Sequence, residues 1–164
     1  LARLIGSSLW PVDLANGRAR ILFHDVWGGR PFQLAGGAAP GLAITALEGS
    51  HPGGCFYYRL EDGVRSLAYA LDCELSGDME PRLADFARGA DLLVWDASFT
   101  VRDKKPGWGH AAWEEGQAFG ASAGVRRVLM THYSWEYTDQ FIHSQELLAG
   151  GSCIFAKEGM VIAL

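Results

Sequence analysis

The sequence predicts an α/β fold, one sheet with helices covering one of its faces, and three observations lead there. The first half of the chain consists of short apolar or alternating runs cut by Gly, Pro and Asn turns, and no helix of useful length appears before about Met79. The second half alternates helix and strand three times. The 164 residues, 49% hydrophobic and 20% charged, suit a single globular domain that buries roughly two thirds of its unfolded surface. No internal repeat, low-complexity tract or linker divides the chain.

Taken in order, residues 3–27 read as short strands around the turn Ala15-Asn16-Gly17-Arg18, with partial alternation over 19–24. Gly28-Gly29-Arg30-Pro31 and Gly36-Gly37 are turns on either side of another short strand. They lack the strand-to-helix setting of a phosphate loop. An apolar strand over 42–47 runs into the turn His51-Pro52-Gly53-Gly54, and a hairpin over 55–72 turns at Glu61-Asp62-Gly63. Residues 80–88 carry Leu83, Phe86 and Ala87 at helical spacing, and Gly89 supplies a C-terminal stop. A buried strand over 91–95 follows, then a loop over 96–108, a helix over 110–123 stopped by Gly124, and a strand over 125–131. The pattern ends with a helix over 138–148, stopped by Gly150-Gly151, and a closing hairpin over 152–164.

Charge and composition disfavour some roles without excluding a local basic groove for nucleic acid. A net charge of −5 argues against a general nucleic-acid surface, which needs a basic stripe to displace counterions. No apolar stretch has the length of a membrane span, and the opening residues carry no signal-peptide pattern, so neither a span nor a leader is expected from these residues. Cys55, Cys73 and Cys153 are odd in number and widely spaced, the pattern of reduced, mostly buried thiols in a cytoplasmic protein. Leu1 in place of methionine marks a truncation or processing point as the expectation for the N-terminus.

Three residues stand where a strand hands over to a loop: His51, Asp72 and His132. In open α/β sheets the carboxyl ends of strands bring loops to one crevice, and imidazole with carboxylate is a zinc-type donor mix. Each has an ordinary reading as well. His51 suits a turn, Asp72 suits an Asx cap and His132 suits a satisfied core histidine. Their common placement is what favours a site. Trp95 and Trp113 read as core, whereas Trp108 and Trp135 lie near His110 and His132 and either wall a pocket, pack in the core or anchor loops. Cys73 reads as a small buried residue.

The stretch His51-Pro52-Gly53-Gly54-Cys55-Phe56-Tyr57-Tyr58-Arg59-Leu60, followed by residues 66–72, resembles the middle of a metallo-β-lactamase-fold hydrolase of the ribonuclease Z and phosphodiesterase branch. Asp91-Leu92-Leu93-Val94-Trp95-Asp96-Ala97-Ser98-Phe99-Thr100, Gly109-His110-Ala111-Ala112-Trp113, Val128-Leu129-Met130-Thr131-His132-Tyr133-Ser134 and the tail Ala156-Lys157-Glu158-Gly159-Met160 are similar to later motifs of that family, in the same order. The resemblance implies the C-terminal half of an αββα sandwich, with residues 1–164 a single partial domain and mixed sheets carrying helices on their outer face. It implies two divalent ions, zinc by preference, with His51 on one, His132 on the other and Asp72 bridging. His110, at a helix start, is implied as general acid or transition-state stabiliser, and Asp96 as the residue that orients it or caps the loop. The implied reaction is attack of metal-bound hydroxide on a small phosphodiester, ester or lactone. A homodimer is also compatible with the family.

The departures shape a further expectation. The family signature His-x-His-x-Asp-His is absent from the 164 residues, so the donors fall short of two full zinc sites and this chain alone is expected to be inactive. His24, His143, Asp25 and Glu74 match no ligand position of the family. Ala111 and Ala112 replace hydroxyl residues of the helix-start turn, and Tyr57 replaces a glycine, which predicts a ring near the pocket. Two other classes stay open: a scaffold that keeps the fold and binds a partner through an apolar surface, and a doubly wound α/β binding domain with incidental histidines.

Overall fold

The turn-separated runs of the first half fold as an antiparallel ladder: β1 (Phe32–Gln33), β2 (Ala43–Glu48), β3 (Phe56–Glu61) and β4 (Ser66–Ala70). From β4 onward the pairing is parallel, through β5 (Leu92–Asp96), β6 (Val128–Thr131) and β7 (Cys153–Phe155). The computed structural model describes residues 32–33, 41–151 and 153–164, and within them the seven strands form one mixed sheet in chain order. Helices make the three parallel crossovers: α1 (Met79–Ala87), α2 (Trp113–Ser122) and α3 (Asp139–Ala149). A strand order without reversal keeps same-handed crossovers on one side of the sheet.

That side holds the core. Ala70, Trp95, Met130 and Phe155 are in register across four strands, and Ala68, Leu93, Val128 and Cys153 form the row below. Both rows join one buried cluster with Met79, Leu83 and Ala87, spaced four apart on α1, and with Trp113, Phe119 and Ala149 of the other helices. Trp95 organises the contact with α2. Its indole donates to the Ala112 carbonyl at 3.0 Å, and a Cβ on Gly116 would sit 2.3 Å from its ring. Glycine at 116 therefore lets the helix approach the sheet. On the other face Ile44, Tyr58, Leu60, Leu67 and Tyr69 line a shallow apolar groove.

Two expectations need correction. The second helix starts at Trp113, not at 110, because Phe99 captures the preceding residues: its N–H donates to Ala111 and its carbonyl accepts from Trp113, both at 3.1 Å. That holds Ala112 extended (φ −100°, ψ 152°). Glu115 then accepts from the Ala112 N–H at 2.9 Å and closes the first turn. The closing hairpin does not form either. β7 pairs with β6, and Arg127 holds the Ala163 carbonyl at 2.7 Å, so the tail does not return beside β7. The strands and turns expected over 3–31, like His24, Asp25 and Gly36-Gly37, lie outside the described residues.

Candidate metal centre

Parallel pairing puts the carboxyl ends of β4, β5 and β6 on one edge, and the polar residues collect there. Asp72 follows β4, Asp96 is the last residue of β5, and His132 follows β6 directly. His110 comes from the loop after β5, returned over the same edge by the Phe99 hydrogen bonds. One donor atom from each of Asp72, Asp96, His110 and His132 lies within 4.8 Å of all the others. Asp72 Oδ1 is 3.7 Å from His132 Nε2 and 3.8 Å from His110 Nδ1.

The backbone marks the same two positions. Among the described residues the non-glycine residues with positive φ are Asp72 (51°) and His132 (62°). A left-handed conformation costs a non-glycine residue about 1–2 kcal/mol, and such strain concentrates where a side chain must be aimed. The Ser98 hydroxyl donates to the His132 carbonyl at 2.8 Å and helps hold that turn.

Asp96 is the hub. It is fully buried, and its oxygens accept from Cys73 N at 3.1 Å, Ser98 N at 3.0 Å and His110 Nδ1 at 2.9 Å, with His132 Nδ1 at 3.4 Å. Burial pushes its carboxyl up, but the hydrogen bonds from His132, Ser98 and His110 outweigh it and hold Asp96 below the usual carboxylate range. The same hydrogen bond to Asp96 raises His132 above the ordinary imidazole value, against the opposing effect of its burial. With its lone pairs spent in this way, Asp96 has little left for an ion. It fixes two imidazoles by their Nδ1 atoms and leaves their Nε2 atoms outward, the arrangement by which carboxylates orient metal-binding histidines. Two imidazoles and the half-exposed Asp72 carboxylate are donors that fit a zinc-type ion.

His51 stands beside this group and outside it. Its ring centroid is 5.5 Å from that of His110. Gly53 N–H donates to His51 Nδ1 at 3.2 Å, which places the proton of the neutral ring on Nε2. Gly109 fits tightly here: φ is 83°, and a Cβ would lie 2.2 Å from His51 Cδ2. Its neighbour His110 lies in the loop before α2, three residues ahead of the first helical residue, Trp113. Tyr57 is fully buried, its hydroxyl accepting from Ser50 N–H at 3.2 Å, so it supports the His51 turn and gives the pocket no surface. His143 sits on α3, where it pairs with Glu146.

Sequence reasoning passed over Glu74 and Ser98. Glu74 is buried and clamps the loop before His110, accepting from Gly107 N at 2.7 Å and Gly109 N at 2.8 Å. An acidic residue two positions beyond the strand-end Asp72, followed much later by Gly-Trp-Gly, was the available signal; nothing in the sequence joins the two.

The Beta-lactamase superfamily domain matches residues 11–133. The chain belongs to the metallo-β-lactamase superfamily. It is 41% identical over 75 residues to a Ribonuclease Z of Ignicoccus hospitalis, covering 43% of this chain and 25% of that protein. Over 121 residues it is 27% identical to the Probable metallo-hydrolase YhfI of Bacillus subtilis, 73% of this chain and 48% of that one. The crystal structure of the YhfI metallo-β-lactamase fold superposes with a TM-score of 0.68 at 22% identity, covering 82% of this chain and 52% of the other. Zn(2+)-bound PqqB of Methylobacterium extorquens shares the fold at a TM-score of 0.52 and 18% identity, over 85% and 55%. The chain thus spans between about a quarter and half of the length of these relatives.

Proposed function

We propose that this chain carries one side of the active site of a metal-dependent hydrolase acting on a phosphodiester, with esters or lactones as the neighbouring substrate classes. The observation that carries the reading is the meeting of Asp72 and His132, both held at positive φ, with two imidazoles fixed by one buried carboxylate. Asp72 and His132 are assigned as ligands. His51 is assigned to a second ion, once its ring turns to free a lone pair. Two zinc ions bound there would activate water and draw charge from the oxygens of the substrate. The rest of the work falls to the chain. Asp96 holds the His110 proton on Nδ1 and presents Nε2 toward the crevice, where His110 meets the leaving group. Glu74 keeps the loop carrying His110 against the His51 turn. The names of the Ribonuclease Z and metallo-hydrolase relatives and the zinc in PqqB support this reading. The free thiols of Cys55 and Cys73 accord with a reducing, cytoplasmic setting.

The test is metal content and hydrolysis measured together, with bis(p-nitrophenyl) phosphate as the substrate. Zinc that is retained by the wild-type chain and lost by His132→Ala supports the reading. Since the donors are few, turnover by the 164-residue chain alone is expected to be close to background. Wild-type and His132→Ala chains that both fail to bind zinc would overturn the assignment. They would favour a partner-binding scaffold, for which the apolar groove of Ile44, Tyr58, Leu60, Leu67 and Tyr69 is the supporting observation.

A further inference from the structure

Core packing does not account for Glu74. It is 9% exposed, yet among the described residues it makes no ion pair. A carboxylate held away from water without a cation persists only where hydrogen bonds offset its lost hydration. Both of its oxygens are used: Oε1 accepts from Gly107 N–H at 2.7 Å and Oε2 from Gly109 N–H at 2.8 Å. The two glycines stand at φ 82° and 83°, in the left-handed region, on either side of Trp108. That backbone turns both N–H groups to one side and makes a concavity suited to an anion. The protein supplies the anion itself.

Three loops meet at this seat. Glu74 lies two residues beyond Asp72, so one loop carries both. The Ser50 and Ser76 hydroxyls, 2.9 Å apart, tie that loop to the His51 turn. Gly109 belongs to the third loop and is pressed onto the turn, where a Cβ would lie 2.2 Å from His51 Cδ2 and 2.6 Å from Pro52 Cδ. The His51 ring is thus held between Gly109 and the Gly53 N–H that donates to its Nδ1.

We infer that Glu74 is a positioning residue for both histidines: its carboxylate seats Gly109, and through Gly109 it fixes the rotation of the His51 ring and the place of His110. The inference rests on the metal-hydrolase reading for what the two histidines do, and goes beyond it in naming what aims them. Asp96 orients the His110 ring through Nδ1, but it does not fix the loop on which that ring stands. Glu74 does. For His51 the consequence is a lock. A swing of the ring past Gly109, which would free a nitrogen for an ion, needs the loop to lift, and two charge-assisted hydrogen bonds hold it down. Shape alone does not serve this role. Glutamine has the same length but a single acceptor oxygen, so its amide nitrogen would oppose one of the glycine N–H groups.

The test follows ring and loop by NMR in the metal-free chain, with zinc content measured beside it. In wild type, Gly109 Hα and His51 Hδ2 should give a strong Overhauser contact, and the Gly107 and Gly109 amides should exchange slowly. Glu74→Gln should abolish that contact, move the imidazole signals of His51 and His110, and speed exchange at the two glycines about tenfold or more, the factor for losing a hydrogen bond to a charged group. Amides of β5 and β6 should exchange as in wild type, which a merely structural role would not leave unchanged. Glu74→Ala vacates the seat, which borders an open cleft of about 540 Å³ shared with His51. Added formate, but not chloride at the same ionic strength, should restore the Overhauser contact in that variant. A Gly109–His51 contact that survives Glu74→Gln, protection lost throughout the sheet, or no rescue by formate would overturn the proposal. The two readings fail separately: wild type without zinc but with the Glu74 effects removes the metal and keeps the clamp, whereas zinc retained with no Glu74 effect removes the clamp.

Discussion

Asp91 and Asp96 bracket the same five-residue strand, β5, and they do different work. At the amino end Asp91 is partly exposed and accepts from the backbone N–H of Ser66 at 2.9 Å and its hydroxyl at 3.4 Å, with Arg126 at 3.9 Å. It ties β5 to β4. At the carboxyl end Asp96 is fully buried, and two of its partners are imidazoles. The residue type, the strand and the number of available oxygens are the same. What differs is the edge of the sheet: parallel neighbours send their carboxyl ends, and the loops that follow them, to one side only. The lesson is that an acidic residue flanking a strand is read by which end it occupies.

The largest effect should come from removing a proposed ligand. Asp72→Asn or His132→Ala is expected to lower zinc affinity by more than about 100-fold, beyond what loss of an orienting partner causes, measured by competition with a chromophoric chelator. Asp96→Asn should follow, with a loss of about 10–100-fold in zinc affinity and about 1–3 kcal/mol in stability, because it takes a buried carboxylate from two partly exposed imidazoles. Asp91→Asn should cost about 1 kcal/mol and leave zinc affinity alone. Similar zinc losses in the two variants would break the comparison.

Stability against pH sharpens it. Asp96 is held below its ordinary 3.8, so its contribution is complete above that value and is lost as pH falls through the depressed folded value. His132 is raised above its ordinary 6.5, so its contribution is complete below that value and is lost as pH rises through the folded value. In chelator, urea unfolding should therefore show the advantage of wild type over Asp96→Asn at its greatest between these two values. An advantage that kept growing above the imidazole range would contradict the pairing. The smallest effect concerns strain. His132→Gly should be more stable than His132→Ala by about 1 kcal/mol, since only glycine adopts φ of 62° without cost. Equal stability of the two would place the left-handed turn in doubt.

Much of this was legible in the residues. The strand ends at Asp72 and His132, the core role of Trp95 and the burial of Cys73 follow from apolar runs and their punctuation. The start of α2 was misread because 110–123 has a helical pattern throughout, and only the reach of Phe99 across the loop takes 111 and 112 into a bridge. The clamp made by Glu74 has no trace in the sequence for a similar reason: its partners Gly107 and Gly109 are more than thirty positions away.

The linear order of amino acids settled the alternation of strands and helices, and with it the residues that could stand at the sheet's edge, because hydrophobic period and turn chemistry act over a few neighbours. Tertiary structure alone decided that Asp96 grips two histidines, that His51 stays outside the group, and that Trp108 and Trp135 face one cleft. Those outcomes depend on which strands lie side by side and how loops fold back over them, and contacts across such distances leave no local trace in the chain.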